Sequence, residues 1–128
     1  MNTHRGLTDT LNSLPRANKY LIIDDNQFNQ NNEAIFLVGS KDYSITNNEI
    51  TNSTTVGIYL ADDTYSTFFP ENITIKDNTI TRSAQGIVSK NTINMSIEGN
   101  HIQDNTLGIS FVYDSFTSVK RNTFQGNN

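Results

Sequence analysis

The chain contains no cysteine and no tryptophan, and only two of its 128 residues are proline. Without cysteine there is no disulfide framework and no thiolate for catalysis or metal binding. No apolar run approaches the length of a membrane-spanning helix. The opening residues, Met-Asn-Thr-His-Arg-Gly, lack the apolar core of a signal peptide. Positive charge is scarce too: nine Lys and Arg stand against thirteen Asp and Glu, for a net charge of −4. The nine do not gather into a patch, which argues against a nucleic-acid partner. Hydrophobic residues make up 34% of the chain, low for a compact two-layer domain and sufficient for a narrow solenoid core. What is abundant is asparagine, at 19 residues.

The asparagines are ordered. Leu21-Ile-Ile23-Asp-Asp-Asn26-Gln-Phe28 is followed by Tyr43-Ser-Ile45-Thr-Asn-Asn48-Glu-Ile50 and by Ile73-Thr-Ile75-Lys-Asp-Asn78-Thr-Ile80. Two further copies are Met95-Ser-Ile97-Glu-Gly-Asn100-His-Ile102 and Thr117-Ser-Val119-Lys-Arg-Asn122-Thr-Phe124. The pattern is apolar-x-apolar-x-x-Asn-x-apolar. Its third position, the anchor, falls at Ile23, Ile45, Ile75, Ile97 and Val119, in steps of 22, 30, 22 and 22 residues. A second phrase, Gly-Ile, follows at Gly57-Ile58, Gly86-Ile87 and Gly108-Ile109, with Ala34-Ile35 in the first copy. A period of this length is the mark of a solenoid, and regular apolar positions between the asparagines argue against low-complexity disorder.

Each repeat reads as three short strands. Ile73 and Ile75 alternate inward on the first, Ile80 points inward on the second, and Ile58 and Leu60 on the third. The fold class expected is all-β: a right-handed parallel β-helix of about four and a half coils of about 22 residues. Asn26, Asn48, Asn78, Asn100 and Asn122 form one column, expected to bond from coil to coil as an amide ladder. Asn at that bend and Gly at the other are expected to supply the left-handed backbone that sharp bends need. The rival is a leucine-rich repeat, which shares the apolar-x-apolar-x-x-Asn core. It needs a further Leu three residues before the first apolar position, where this chain has Ser40, Pro70, Thr92 and Asp114. Residues 1–128 then form one domain with insertions at 7–20 and 61–72. The chain reads as starting and ending inside coils, as a fragment of a longer solenoid or part of an oligomer joined through its ends.

The stretch Tyr43–Thr64, YSITNNEITNSTTVGIYLADDT, resembles the parallel β-helix repeat of the pectin-lyase-like superfamily, and more narrowly the repeats of NosD-like and related carbohydrate-associated proteins. The resemblance runs from about Leu21 to Asn128. It implies the fold and a secreted or periplasmic location. Activities in such folds range over polysaccharide lyases, glycoside hydrolases, epimerases, tailspikes, adhesins and periplasmic accessory proteins, so a function must come from a site. NosD-like proteins are linked to copper maturation. Two Met, two separated His and no Cys give this stretch no metal-ligand spacing, so neither a metal nor another cofactor is expected.

Stacking allows the surface to be read in columns. One past the anchor, Lys76, Glu98 and Lys120 form a row of alternating charge. Two past it, Asp25 and Asp77 stand two coils apart, about 9.6 Å in regular stacking, against about 6.5–9.5 Å for the carboxyl pair of an inverting glycosidase. His101 shares a column with Thr79 and Thr123. Asp62-Asp63 is the single acidic doublet of the long insertion, thin for a calcium site.

The outward side of the third strand is more telling. It carries Phe36, Tyr59, Val88 and Ser110, then Val38, Ala61, Lys90 and Val112, an apolar row for a solvent-facing side. The insertion beginning at Ala61 brings Asp62, Asp63, Tyr65, Phe68 and Phe69 beside it. Aromatic surface flanked by acids suits a sugar ring. The substrate-binding candidates are therefore Phe36, Tyr59, Asp62, Asp63, Tyr65 and Phe68, with polysaccharide or oligosaccharide as partner and no catalytic residue identified. The alternatives are part of a polysaccharide lyase or glycoside hydrolase, and a non-catalytic structural solenoid.

Overall fold

Short apolar-x-apolar segments separated by Asn, Ser and Gly cannot support long strands or hairpins, and they bend instead. The computed structural model describes residues 5–9, 20–39, 41–62 and 68–128. These contain strands and no helix. After β1 (Arg5–Asp9) come four turns of three strands. The first is β2 (Ile22–Asp24), β3 (Gln27–Asn29) and β4 (Glu33–Val38); the second is β5 (Ser44–Thr46), β6 (Glu49–Thr51) and β7 (Val56–Ala61). The third is β8 (Glu71–Lys76), β9 (Thr79–Thr81) and β10 (Gln85–Lys90), and the fourth is β11 (Ile93–Glu98), β12 (His101–Gln103) and β13 (Leu107–Val112). β14 (Ser118–Lys120) and β15 (Thr123–Gln125) follow. Corresponding strands pair in three parallel sheets, β1-β4-β7-β10-β13, β2-β5-β8-β11-β14 and β3-β6-β9-β12-β15. The architecture is a β-solenoid, as the repeat predicts.

Register keeps like on like. Ile23, Ile45, Ile75, Ile97 and Val119 are paired in order through one sheet. Phe28, Ile50, Ile80, Ile102 and Phe124 run through the second, and Ile35, Ile58, Ile87 and Ile109 through the third. The three columns meet as the core. Each buried Ile contributes about 1.5–3 kcal/mol, and a one-residue slip would turn a whole strand's set outward. The 30-residue step is absorbed in two places. Ala61 closes β7 while Glu71 and Asn72 open β8, leaving the excess between them. The extra residue near Thr54–Thr55 forms a bulge in which the Thr55 and Val56 N–H groups share the Asn32 carbonyl, and both threonine hydroxyls donate to Asn32 Oδ1.

The asparagine column makes the coil-to-coil contacts of a ladder. The backbone N–H and the side-chain amide of Asn48 both donate to Asn78 Oδ1, at 2.9 and 3.0 Å. Asn78 treats Asn100 the same way, and Asn100 treats Asn122 the same way. Asn26 bonds to Asn48 at 3.1 and 3.2 Å. The last four amides also reach the anchor carbonyl of the preceding coil: Asn48 to Ile23, Asn78 to Ile45, Asn100 to Ile75 and Asn122 to Ile97. Every donor and acceptor of the buried amides thus has a partner, which makes a polar column tolerable in an apolar interior.

The left-handed backbone lies elsewhere than expected. Asp25, Asn47, Asp77, Gly99 and Arg121, one residue before each ladder asparagine, have φ between 53° and 67°. Two further corner columns, at Gln30, Asn52, Arg82, Asp104 and Gly126 and at Tyr20, Asp42, Asn72, Asn94 and Phe116, do the same. Non-glycine residues hold this conformation at a cost of about 1–2 kcal/mol, offset by cross-coil bonds such as Asp77 N–H to the Glu98 carbonyl. The glycines of the Gly-Ile phrase are absent from the positive-φ set. They are needed for close approach, since a Cβ on Gly57 would lie 2.7 Å from the Gly86 carbonyl oxygen.

Candidate functional site

The outward side chains of β4, β7, β10 and β13 line a groove of about 310 Å³. Parallel register places Phe36 beside Tyr59, Tyr59 beside Val88, and Val88 beside Ser110. The apolar row expected on this face therefore exists as a continuous column along the solenoid axis. Phe36 and Tyr59 stack with ring centroids 5.0 Å apart and planes 7° from parallel. From the next coil, Lys90 places its ammonium 5.4 Å from the Tyr59 ring centroid. The rings thus cover one another in the coil direction, and they present edges to the groove, not the open faces expected for sugar stacking.

The groove's polar lining comes from Glu33, Thr55, Gln85, Lys90 and Ser110. Asp62 and Phe68 are half-buried and lie outside its lining. Asp63 and Tyr65 lie outside the described residues. Glu33 and Gln85 escaped the sequence reading. The signal was the residue just before the Ala or Gly of the second phrase, a column running Glu33, Val56, Gln85 and Leu107.

Other candidate groups do not converge. Glu98 is in register with Lys76 and Lys120 but pairs with Arg121, and Lys76 turns to Asp77 at 3.7 Å. The corner places Arg121 diagonally across Glu98, so the alternating row exists in the backbone and not in the ion pairs. Asp77 lies over Gly99, where any Cβ would strike its carboxylate. Asp25 and Asp77 are both corner residues. His101 stands between Thr79 and Thr123 and bonds through Nε2 to Gln103 Oε1 at 2.7 Å. Lys41 pairs with Glu71.

Two carboxyls are shifted, in opposite directions. The Thr46 hydroxyl and the Asn47 amide donate to exposed Asp24 and hold its pKa below the usual carboxylate value. Burial pushes Asp114 upward, against the bond its Oδ1 accepts from the Thr92 N–H at 2.7 Å and the opposing influence of the Ser89 hydroxyl. Its Oδ2 is buried without a partner.

The family model described as "Periplasmic copper-binding protein (NosD)" matches residues 10–128, so the chain belongs to the NosD family. Comparison with curated proteins and with solved structures returns no match. Copper favours thiolate, thioether and imidazole ligands. The chain has no Cys, Met95 is buried in the hydrophobic core, and His101 is bonded to Gln103. No group of three or more His, Cys, Asp or Glu able to hold a metal ion forms among the described residues. His4 and Met1 lie outside them. The described residues do not fit a copper site.

Proposed function

We propose that this NosD-family chain is a non-catalytic periplasmic module that contacts an oligosaccharide through the groove over β4, β7, β10 and β13. The observation that carries the reading is the groove itself, an apolar column of Phe36, Tyr59 and Val88 bordered by Gln85, Ser110 and Lys90. Sugar recognition needs apolar surface beside a few placed hydrogen-bonding groups. The column runs along the solenoid axis, so the bound chain lies along that axis and crosses successive coils. Ring edges of Phe36 and Tyr59 form its floor, with the amide of Gln85 and the hydroxyl of Ser110 placed for sugar hydroxyls.

A lyase or hydrolase would need carboxylates gathered with a base or a cation. The carboxylates described above are instead bonded locally, Asp24 by Thr46 and Asn47 and Asp77 at a corner over Gly99, or paired singly, as Glu98 and Glu71 are. This favours binding over catalysis. The family description supports the periplasmic location. Copper has no part in the reading, because the donor set of the described residues does not fit it.

The stacking of Phe36 on Tyr59 favours a second reading, a purely structural solenoid whose outer aromatics consolidate the sheet. A glycan array separates the two. The module binds a subset of oligosaccharides, and Tyr59→Ala weakens that binding by about tenfold, equivalent to about 1.4 kcal/mol, with the circular dichroism spectrum unchanged. Absence of any glycan binding by the wild type would leave the structural reading standing.

A further inference from the structure

We infer that the saccharide taken by this groove is anionic, carrying carboxylate or sulfate groups, and that Lys90 is the residue that selects it. This ligand class rests on the glycan reading above and narrows it.

The chain as a whole is acidic, with a net charge of −4, yet the groove has a different balance. Its charged lining consists of Glu33 and Lys90. Glu33 is already engaged in an interaction of its own. Lys90 makes no ion pair among the described residues; the pairs there belong to Lys41, Lys76 and Arg121. In register beside it stands Val112, which cannot neutralise it. Asp62, just beyond the end of β7, makes no ion pair with it either. Lys90 is therefore the cation this groove offers to a ligand.

The ammonium is also positioned. It lies over the Tyr59 ring, 5.4 Å from the centroid, and the side chain is only partly exposed. A cation over an aromatic face is attracted to it and keeps its remaining donors free. A lysine already directed over the groove loses less rotamer freedom when a ligand arrives. Partial burial weakens solvent screening, so an anion meeting this ammonium is held more firmly than at an open surface lysine. Gln85 and Ser110, on the same and the next strand, remain for hydroxyl groups. The division of labour is an apolar floor, two neutral hydrogen-bonding side chains and one uncompensated cation.

The test titrates wild type and Lys90→Gln with three oligosaccharides of equal length and linkage: neutral, carboxylated and sulfated. The wild type should bind a charged member at least about tenfold tighter than the neutral one, with an advantage that shrinks as salt rises. Lys90→Gln should remove that advantage, and Lys90→Arg should keep most of it. The carboxylated and sulfated arms show which anion is read. Equal binding of all three sugars by wild type overturns the anionic selection and leaves the glycan module intact. No binding of any of the three overturns both.

Discussion

Two polar columns run through this solenoid, and they are built to different standards. The first is five asparagines, Asn26, Asn48, Asn78, Asn100 and Asn122, of which the inner three each receive from one coil and give to another. The second lies five residues further along each repeat, at Asn31, Ser53, Ser83, Asn105 and Asn127. At Asn105 it copies the first: the residue donates from backbone and side chain to Asn127 Oδ1 at 3.0 Å, and its amide reaches the Ile80 carbonyl. Where it holds serine the copy is partial. Ser83 Oγ accepts the Ser53 N–H at 3.2 Å and turns back to its own coil's Thr81 carbonyl at 3.4 Å. Ser53 Oγ is buried with no partner. Each corner from Ser83 onward therefore supplies one oxygen to the neighbouring coil's N–H. The additional reach of an amide across to the preceding coil is what turns that oxygen into a ladder.

The largest expected effect breaks the first column. Asn78→Ala leaves the Asn48 N–H and the Ile45 carbonyl without their side-chain partner inside the core. At about 1–3 kcal/mol for each buried group left unsatisfied, the loss is about 3–5 kcal/mol. Ser83→Ala removes two long bonds, one from Ser53 and one to Thr81, and should cost about 1 kcal/mol. Urea unfolding of the two variants side by side gives the ratio. Equal losses would mean that both columns act only as spacers.

The first column was legible because all five positions are the same residue and sit in phase with the anchors. The second was not, because two serines dilute it and its role depends on bonds no local pattern displays. The left-handed corners were misplaced for a related reason. Sequence preference points to Asn and Gly, while chain geometry puts the bend one residue earlier, on Asp77 or Arg121 as readily as on Gly99. On the outer face, strand alternation was enough to place Phe36 and Tyr59 in one column. It could not show that the rings would stack on each other, nor that Lys90 would settle over Tyr59, since both depend on side-chain conformation across coils.

A third corner sharpens the comparison with an acid in place of an amide. Thr92 N–H donates to Asp114 Oδ1 as Asn48 N–H does to Asn78 Oδ1, and one coil earlier Pro70 has no N–H to satisfy. The other oxygen, Oδ2, occupies the place of the amide donor and has no partner. Asp114→Asn restores a donor there and should stabilise the fold at neutral pH by less than about 1 kcal/mol, since the group is partly solvated. Burial raises the Asp114 pKa. Its neutral form therefore contributes stability fully below the unfolded value near 3.8, and that contribution is lost as pH rises through the folded pKa. The gap between variant and wild type should accordingly widen with pH from about 3.8 upward, to a plateau. Asp24 titrates in both proteins with the opposite sign, favouring the fold above 3.8, and cancels from the difference. A gap that does not change with pH would detach the unpartnered Oδ2 from the stability difference.

The smallest effect is a gain. Ser83→Asn places an amide between Ser53 and Asn105, in a column whose next members show that the corner accommodates asparagine. Its Oδ1 would take the Ser53 N–H at a normal length in place of 3.2 Å, and its amide would reach toward Asn105 Oδ1, as Asn105 reaches Asn127. Two improved bonds, less the rotamer freedom lost by a longer side chain, give about 0.5–1 kcal/mol of added stability. Thermal unfolding against wild type measures it. A loss would show that the Ser83 corner is too tight for an amide, so that serine is there for its volume. The two columns would then differ in packing space before they differ in hydrogen bonding.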